Sequence, residues 1–374
     1  MKGFNRGFLL IVFGILIIVP FLNDRFHFVT FKRLDENRTF HDSLSIDINK
    51  LDKFPKGCED YLADNFSFRT PMIAWSKWMK LYFFHVSPNK ERLIVGKNGR
   101  YFIAGEEQKI YEGQRQLTTA QLDSFEAEWR RRKAFFRQHN VIPYLVIGPS
   151  ALEVYPEDLP INIVAMSSES RIDQLRKRFQ KHLPGICVDL VPVFEKNKQN
   201  NLYFKLDNHW NKHAGFVVTE ELLRRLKRDH FPELDLSYLQ HYRWTTDYVR
   251  IGHLSTFLPR NSETEAIPVP HHNDLADLAE PFGFPVTPDF MYPDQFEFHF
   301  VHRKPKNKLR LLIIRDSFGD AVFPFLKEGF AETLVIFDSW KYGLNEEIVT
   351  TFKPDVVVYI TYETHLLNYI RGTK

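Results

Sequence analysis

The amino-acid sequence predicts an α/β protein whose core is a doubly wound, mainly parallel sheet. From residue 118 to residue 374, segments with helical spacing alternate with short apolar runs. The runs are continuous stretches such as "YLVIG", "LRLLII" and "DVVVYI", a composition typical of strands that are covered on both faces. Because 44% of the 374 residues are hydrophobic, the chain has enough apolar material for one large core or two modest ones.

The first 23 residues predict a transmembrane helix that acts as a signal anchor. Lys2 and Arg6 precede an uncharged run from Gly7 to Asn23, which is near the length that spans a bilayer. No small-x-small cleavage site follows the run. We therefore expect an uncleaved anchor with the rest of the chain outside the cytoplasm. A cleaved signal peptide and a buried N-terminal helix of a soluble protein are the alternatives.

Residues 24–90 are predicted to form a stalk that continues into a helical segment, and the helix is expected to break before Pro71. The stretch "RLIVGKNGRYFI" then predicts two short strands around an Asn98-Gly99 turn, because this dipeptide accepts positive φ in a tight hairpin.

The alternating elements define a domain over residues 91–374. Helices are predicted over 118–140, 168–183, 211–229, 321–330, 342–352 and 362–372, with Thr118 or Thr119 and Asn211 as N-caps. Strands are predicted over 141–150, 185–194, 202–206, 308–315, 333–338 and 355–361.

The alternation lapses between about 231 and 306, where Pro, His, Asp and aromatic residues accumulate. This segment is interpreted as an insertion that could lie over the active face. Its aromatic residues either stack on sugar rings or simply pack, and they include Phe282, Phe284, Phe290 and Tyr292.

Charge and cysteine content exclude several classes of protein. The net charge is +3, and "RRRKAFFR" at 130–137 fits the solvated face of a helix, so no nucleic-acid partner is predicted. Cys58 and Cys187 are the only cysteines, they show no zinc-type spacing, and the sequence leaves open whether they pair.

Two polar motifs follow predicted strands, and in open α/β sheets functional residues lie at the carboxyl ends of strands. The first is "LLIIRDSFGD", which brings Ser317 to a tight turn beside backbone N–H groups. A simple Asp/Ser helix cap is the alternative. The second is "LDNHWN", in which Asp207 and His209 lie two positions apart and can point the same way.

Together these motifs supply a nucleophile, a base and an acceptor that orients the base. A serine hydroxyl needs a base within hydrogen-bonding distance, and the base needs an orienting partner. Ser317, His209 and Asp207 are of the required types. A metal site is the alternative, with His209 and His213 or His271 and His272 as ligands, but the further Asp, Asn and His clusters of such sites are missing. We expect no metal and no cofactor, and a structural role for His213.

The chain resembles the SGNH-hydrolase-like proteins of the alginate O-acetyltransferase group (AlgJ/AlgX-like) and the related DHHW proteins. The resemblance rests on the N-terminal anchor, "ENR", "YLADNFSFR", "VGKNGRYF", "PYLVIGPSALEVYPEDLP", "LDNHWN", "LLIIRDSFG" and "KPDVVVYITYETHLL", in that order. It implies a circularly permuted SGNH arrangement in which Asp and His precede Ser.

The resemblance also implies a function at the cell envelope. It implies an extracytoplasmic, membrane-anchored enzyme that transfers acetyl groups to hydroxyls of a cell-surface or secreted polysaccharide, with a membrane-bound O-acyltransferase as acetyl donor. Asp207 and His209 match the family's Asp-x-His pair, and Ser317 matches its nucleophile.

Arg315 and Trp210 are further candidates for holding the oxyanion or the substrate, and Trp210 could instead fix the loop to the core. Arg315 stands where the alginate enzymes tend to have Gly, and His253 stands where many members have the Asp of a Gly-Asp-Leu stretch. The role of position 253 is therefore open.

Two other functions are compatible with the sequence. A carbohydrate acetyl esterase would use the same triad with water as acceptor, and the triad alone does not separate the two reactions. A non-catalytic scaffold of an envelope polysaccharide complex is the second, although the complete Asp/His/Ser set argues against it.

Overall fold

The computed structural model describes residues 6–31, 40–41, 43–44, 48–249, 252–258, 264–286, 288, 290–338 and 341–371. Lys2, the "ENR" stretch at 36–38 and the first two residues of "RIGHLSTF" lie outside these residues. The described chain forms two compact units, one from the residues up to Pro88 together with Leu258 and the other from the remainder.

The first unit is helical. It contains α1 (Arg6–Phe26), a 3-10 helix (Ile48–Lys53), α2 (Phe54–Asn65), α3 (Arg69–Trp78) and a π-helical turn (Met79–Phe83). Within α1, the segment Gly7–Phe26 is long and apolar enough to cross a membrane, a property that signal sequences share. The break between α2 and α3 lies at residues 66–68, just before Pro71 as predicted.

The second unit is built on a seven-stranded sheet. Its strands and the two hairpins beside it are β1 (Leu93–Val95), β2 (Tyr101–Ile103), β3 (Ile142–Gly148), β4 (Cys187–Val188), β5 (Arg243–Val249), β6 (Glu265–His271), β7 (Ala276–Ala279), β8 (Glu297–His302), β9 (Arg310–Arg315), β10 (Glu332–Phe337) and β11 (Val356–Tyr362). The sheet has the order β4-β3-β11-β9-β10-β8-β7. The first five of these strands are parallel, and β8 and β7 add an antiparallel edge.

Helices cover both faces of the sheet, so the predicted α/β class with a mainly parallel sheet is confirmed. The helices are α4 (Glu106–Tyr111), α5 (Thr119–Gln138), α6 (Ala151–Val154), α7 (Arg171–His182), α8 (Val191–Asn197), α9 (Lys212–Asp229), α10 (Phe323–Leu326), α11 (Glu346–Phe352) and α12 (Asn368–Arg371). Successive strand residues point to opposite faces, so Leu145 packs in the core with α5 and α7 while Val146 packs in the core with α8 and α9.

Local signals explain several boundaries. Thr118 forms a capping box with Gln121 at the start of α5, and Asn211 caps α9. In the β1–β2 hairpin, Asn98 and Gly99 have φ of 54° and 70°, as the predicted turn requires.

Several predicted elements differ in the structure, and three of them are instructive. The apolar run 185–194 forms a strand only at Cys187–Val188 and then enters α8, because Pro192 suits a helix start and Asp189 accepts the Val191 N–H at 3.2 Å. The run 202–206 contributes only an isolated bridge from Tyr203 to Trp210. The predicted helix 362–372 is a 3-10 turn (Glu363–His365) followed by the short α12.

The segment 231–306 contains two kinds of structure. Its first half forms the antiparallel β5–β6 hairpin, and its second half supplies β7 and β8 to the main sheet. Phe284 and Phe290 are buried in the core, whereas Phe282 and Tyr292 are exposed. Both cysteines are free thiols, Cys58 in α2 and Cys187 in β4.

Candidate active site

The two polar motifs meet at the carboxyl end of the sheet. β9 ends at Arg315, and Ser317 opens a 3-10 turn (Ser317–Ala321). The loop 207–210 precedes α9, whose start is fixed by Asn211: its Oδ1 accepts the N–H groups of His213 at 2.9 Å and Ala214 at 3.4 Å. Both motifs are therefore held at the start of a helical turn.

Asp207, His209 and Ser317 form a continuous hydrogen-bonded series. His209 Nδ1 lies 2.5 Å from Asp207 Oδ1, and His209 Nε2 lies 2.8 Å from Ser317 Oγ. An ionised carboxylate only accepts hydrogen bonds, so Nδ1 carries the proton and Nε2 is free to accept the serine O–H. This is the arrangement by which a histidine takes a proton from a serine hydroxyl.

Charges around the series favour this protonation pattern. Burial alone would raise the pKa of Asp207, but its hydrogen bonds and the facing histidine bring the pKa down to about 2. Burial lowers the pKa of His209, yet the hydrogen bond and negative charge of Asp207 outweigh it and leave that pKa above the ordinary histidine value. Asp207 is thus ionised at neutral pH and stabilises the imidazolium that forms when His209 takes a proton.

The backbone amide of His253 holds the second oxygen of Asp207. His253 N donates to Asp207 Oδ2 at 2.9 Å. The preceding Gly252 has a φ of +112°, and a Cβ there would lie 1.9 Å from the Leu206 carbonyl oxygen. At this position a backbone N–H, and not a side chain, provides the contact, so the departure from the Gly-Asp-Leu pattern does not remove this hydrogen bond.

The chain just before Asp207 is anchored by two buried charged residues. Glu265 Oε2, on β6, accepts the N–H groups of Lys205 at 2.5 Å and Leu206 at 3.1 Å. Arg100 pairs with Asp158 at 3.0 Å and lies 3.8 Å from the ring centroid of Tyr155. It also donates to the carbonyl oxygen of residue 204 at 3.3 Å. These contacts fix the loop from behind.

Asp316 fixes the turn that carries Ser317. Its Oδ1 accepts the Phe318 N–H at 2.9 Å, and its Oδ2 accepts the Tyr362 N–H at 2.6 Å and contacts His365 Nδ1 at 2.9 Å. Asp316 therefore ties the Ser317 turn to the end of β11, and it acts as a cap.

The guanidinium of Arg315 lies inside the fold. It is fully buried, pairs with Asp320 at 2.9 Å and stands 4.2 Å from the ring centroid of Phe337. Gly319 allows this packing, because a Cβ there would come within 2.6 Å of Arg315 Cβ. These contacts assign Arg315 to support of the turn rather than to the oxyanion, which was the role considered from the sequence.

Trp210 joins the two motifs. Its indole is 2% exposed, its Nε1 donates to the Phe318 carbonyl at 2.6 Å, and its ring meets that of Phe318 edge to face. Of the two roles considered for Trp210, fixing the loop is the one that these contacts support. His213 has a structural position as well, since its Nδ1 donates to the Asn200 carbonyl at 2.9 Å.

Two buried glutamates beside the triad were missed in the sequence. Asn208 donates to Glu107 Oε1 at 3.0 Å, and burial raises the pKa of Glu107 to about 8. Glu363 accepts the Ser150 N–H at 2.9 Å, and burial raises its pKa as well. Glu363 follows β11 directly, so its place at a strand end was a usable signal. Glu107 lies on the short α4, and its sequence offers no such signal.

A cleft of about 630 Å³ opens beside residues 203–206, just before Asp207. It lies between the Asn98-Gly99 turn, the loop 200–206 and the β5–β6 hairpin. Amides, hydroxyls and an indole line it, from Asn98, Asn200, Asn201, Trp244, Thr245 and Thr246. Leu206, which directly precedes Asp207, and Glu265 also belong to its wall, so the cleft adjoins the chain just before Asp207.

One cluster in the described part of the chain has the composition of a cation site. Ligand atoms of His272, Asp274 and Glu328 lie within 4.8 Å of one another. The Lys327 ammonium already contacts Asp274 at 3.0 Å and Glu328 at 2.6 Å. This lysine supplies the positive charge that a metal would bring, so the cluster is accounted for as an ion-pair network.

The comparisons with known proteins agree with the fold and with the resemblance. Residues 93–277 match the family described as "SGNH hydrolase-like domain, acetyltransferase AlgX". No curated protein matches the chain.

Several solved structures are similar. PatB1 of Bacillus cereus with a sulfonyl adduct has a TM-score of 0.56 and 17% identity, covering 74% of this chain and 96% of that one. A DHHW family protein from Eubacterium siraeum has a TM-score of 0.54 and 16% identity, covering 76% of this chain and 95% of that one. The O-acetyltransferase domain of Pseudomonas putida AlgJ has a TM-score of 0.50 and 16% identity, covering 74% of this chain and 92% of that one. At these identities the likeness is one of fold.

Proposed function

We propose that this chain moves acetyl groups to hydroxyls of an extracytoplasmic polysaccharide through an acyl-serine intermediate. The match of residues 93–277 to the SGNH hydrolase-like, acetyltransferase AlgX family supports this proposal. The observation that carries the proposal is the hydrogen-bonded series Asp207–His209–Ser317, with contacts of 2.5 Å and 2.8 Å. A nucleophile, a base and an orienting carboxylate are the groups that acyl transfer needs.

The first half of the reaction acylates the enzyme. His209 Nε2 takes the Ser317 proton as Oγ attacks the carbonyl carbon of the acetyl donor. The new C–O bond forms, and the carbonyl electrons move onto oxygen. When the tetrahedral intermediate collapses, the donor oxygen leaves and takes the proton from His209.

The second half transfers the acetyl group. A sugar hydroxyl gives its proton to His209 Nε2 and attacks the acyl carbon, and Ser317 Oγ leaves and recovers that proton. Because the same nitrogen accepts and returns the proton in both halves, the ionised Asp207 stabilises the same imidazolium twice.

The turn that carries Ser317 offers a donor for the oxyanion. Among the described amides of this turn, Phe318 N donates to Asp316 Oδ1 and Gly319 N donates to the Asp316 carbonyl. The Ser317 amide, at the opening of the turn, is the group that we assign to the oxyanion, an interaction typically worth about 3–4 kcal/mol.

The cleft beside the Asp207 loop supports a polyhydroxylated acceptor. Sugars present many donors and acceptors together with apolar ring faces, and the cleft offers amides, hydroxyls and the half-exposed Trp244. The apolar α1 supports anchoring at the membrane, where a membrane-bound O-acyltransferase would supply the acetyl group.

Mass spectrometry of the full chain, incubated with an activated acetyl ester, tests the proposal. We expect an acetyl mark on Ser317 that is discharged when a polysaccharide is added and persists in buffer alone. The S317A variant should lose the mark, and S168A, which changes an exposed serine, should keep it. A sulfonyl reagent, of the class found on PatB1, provides a second label for Ser317.

The same experiment separates the competing functions. Discharge in buffer as fast as with glycan would identify an acetyl esterase, since water would then be the acceptor. If neither reagent marks Ser317, covalent catalysis is excluded and a scaffold becomes the better description.

A further inference from the structure

An apolar face is exposed on α3 and the π-helical turn that follows it. Its large side chains recur three or four positions apart, which places them on one side of a helix. Met72 is 51% exposed, Trp75 64% and Phe83 65%, and Trp78 and Tyr82 belong to the same face. Soluble proteins seldom leave so many large apolar groups together in water, and faces of this kind mark contacts with a protein or a membrane.

Contacts within the first unit place this helix at the end of α1. Ser67, two residues before α3, donates its N–H to Asp24 Oδ1 at 3.0 Å and its Oγ to the Pro20 carbonyl at 3.4 Å. The rings of Phe31 and Phe68 meet edge to face at 5.4 Å. Pro20 and Asp24 lie in the last two turns of α1, so α3 begins beside the end of the membrane-crossing candidate.

The depth of that end follows from helix geometry. The segment Gly7–Phe26 has 20 residues, and at about 1.5 Å per residue it matches the hydrocarbon thickness of about 30 Å. If α1 spans the bilayer, its last two turns reach the headgroup layer. The start of α3 then lies in that layer too, whichever way α1 is oriented.

The chemistry of α3 suits the headgroup layer. Trp and Tyr prefer the membrane–water interface because their rings are apolar and carry one polar group. The exposed Lys80 lies beside the apolar face, where it can reach phosphates, while Leu81 is buried away from solvent. A helix that has one apolar and one charged side lies in the plane of the interface.

We propose that α3 and residues 79–84 form an in-plane, interfacial helix whose aromatic face is inserted into the lipid bilayer, giving the chain a second membrane contact besides α1. The proposal rests on the membrane-anchoring part of the proposed function and is independent of the acetyl-transfer reaction. The partner is the lipid itself, and not another protein.

Tryptophan quenching in vesicles tests this contact. The full chain would be reconstituted into phosphatidylcholine vesicles whose acyl chains carry bromine near the headgroup. α1 contains no tryptophan, and Trp129 and Trp210 are buried in the core. We therefore expect bromolipid to lower the emission, and the W75F/W78F variant to lose most of this quenching. The matched controls W244F, on β5, and W340F change the two other tryptophans, and both should retain the quenching.

Two results would overturn the proposal. In the first, the chain floats with the vesicles, but either the parent is not quenched or W75F/W78F is quenched as strongly as the parent. In that case α3 lies outside the bilayer, and its apolar face binds a protein. If the chain does not float with the vesicles, α1 is not an anchor, and the interfacial placement fails with it. Acetylation of Ser317 in the same samples reports separately on the acyl-transfer proposal.

Discussion

Each oxygen of the Asp207 carboxylate accepts a different hydrogen bond, and this division fixes the ring of His209. Oδ1 faces His209 Nδ1, and Oδ2 faces the His253 backbone amide. A carboxylate held at both ends cannot rotate away from the ring, so the base stays aligned with Ser317.

The D207N variant should be slow, with a shifted pH profile. His209 acts only when Nε2 is unprotonated, so activity falls as the pH drops through the pKa of His209, which Asp207 holds above its ordinary value. Without the negative charge this pKa falls, and the acidic limb of the kcat/KM profile should move to lower pH. We expect the rate itself to fall about 10³-fold or more.

Measurement of kcat/KM against pH with a soluble acetyl ester checks this prediction. D247N, which changes an exposed aspartate on β5, is the control and should behave as the parent. If the acidic limb of the D207N profile lies at the same pH as that of the parent, Asp207 does not set the pKa of His209.

Position 253 should tolerate substitution, and position 252 should not. H253A keeps the backbone N–H that holds Asp207, so we expect activity within about threefold of the parent. G252A places a Cβ 1.9 Å from the Leu206 carbonyl at a φ of +112°, which should destabilise the fold by about 1–3 kcal/mol and displace the loop. Thermal unfolding and ester turnover of both variants provide the measurement. An equal loss of activity in H253A would mean that its side chain takes part.

At the scale of elements, the β5–β6 hairpin borders the cleft and also holds the residues just before Asp207. Glu265 on β6 holds the amides that precede Asp207, while Trp244 on β5 faces the cleft. The hairpin can therefore connect acceptor binding to the position of the base.

W244A should impair transfer to glycan without impairing acylation. Loss of the indole removes a ring face from the cleft, so we expect the KM for polysaccharide to rise about tenfold while the rate of Ser317 acetylation by a small ester stays the same. Y248A, on the same strand but outside the cleft lining and 72% exposed, should change neither quantity. Equal effects of the two variants would remove the cleft from the acceptor site.

The sequence predicted the elements that have a strong period and missed those that depend on distant partners. β3, β9, β10 and β11 are long apolar runs, and α5 and α9 carry caps, so their local signals suffice. The runs 185–194 and 202–206 have strand composition, but only two residues of the first find a neighbouring strand and the second forms one bridge.

The candidate site likewise contains residues that the sequence could predict and contacts that it could not. Asp207, His209 and Ser317 were predictable because their types and strand-end positions are local information. The His253 amide, the burial of Arg315 and the pairing of Asn208 with Glu107 depend on chain segments that come together only in the folded molecule.

At the scale of the whole molecule, buried carboxyl groups should make stability depend on pH. The pKa of Glu107 is about 8 in the folded chain, above its ordinary value of 4.5. Between these values the folded state binds more protons than the unfolded state, so stability falls as the pH rises. A carboxyl that titrates fully in this way contributes up to about 1.4 kcal/mol per pH unit.

The E107Q variant should therefore lose less stability than the parent between pH 5.5 and 8.5. Glutamine keeps the shape and the oxygen that accepts from Asn208 but cannot ionise. Thermal unfolding of both proteins in detergent at the two pH values checks this, with E112Q, which changes a carboxyl in the loop after α4, as the control. An unchanged pH dependence in E107Q would mean that Glu107 does not titrate in this range.

The position of β11 has a consequence for the order in which the molecule can be completed. β11 lies between β3 and β9, and these two strands do not pair with each other. It also follows the other described strands in the chain. Until it arrives, β3 and β4 on one side and β7 to β10 on the other have no common edge, and Asp316 lacks the Tyr362 amide. A chain in which β11 is not yet in place can therefore carry Asp207, His209 and Ser317 without the full support of the Ser317 turn, and the docking of β11 joins the two parts of the sheet and supplies that support.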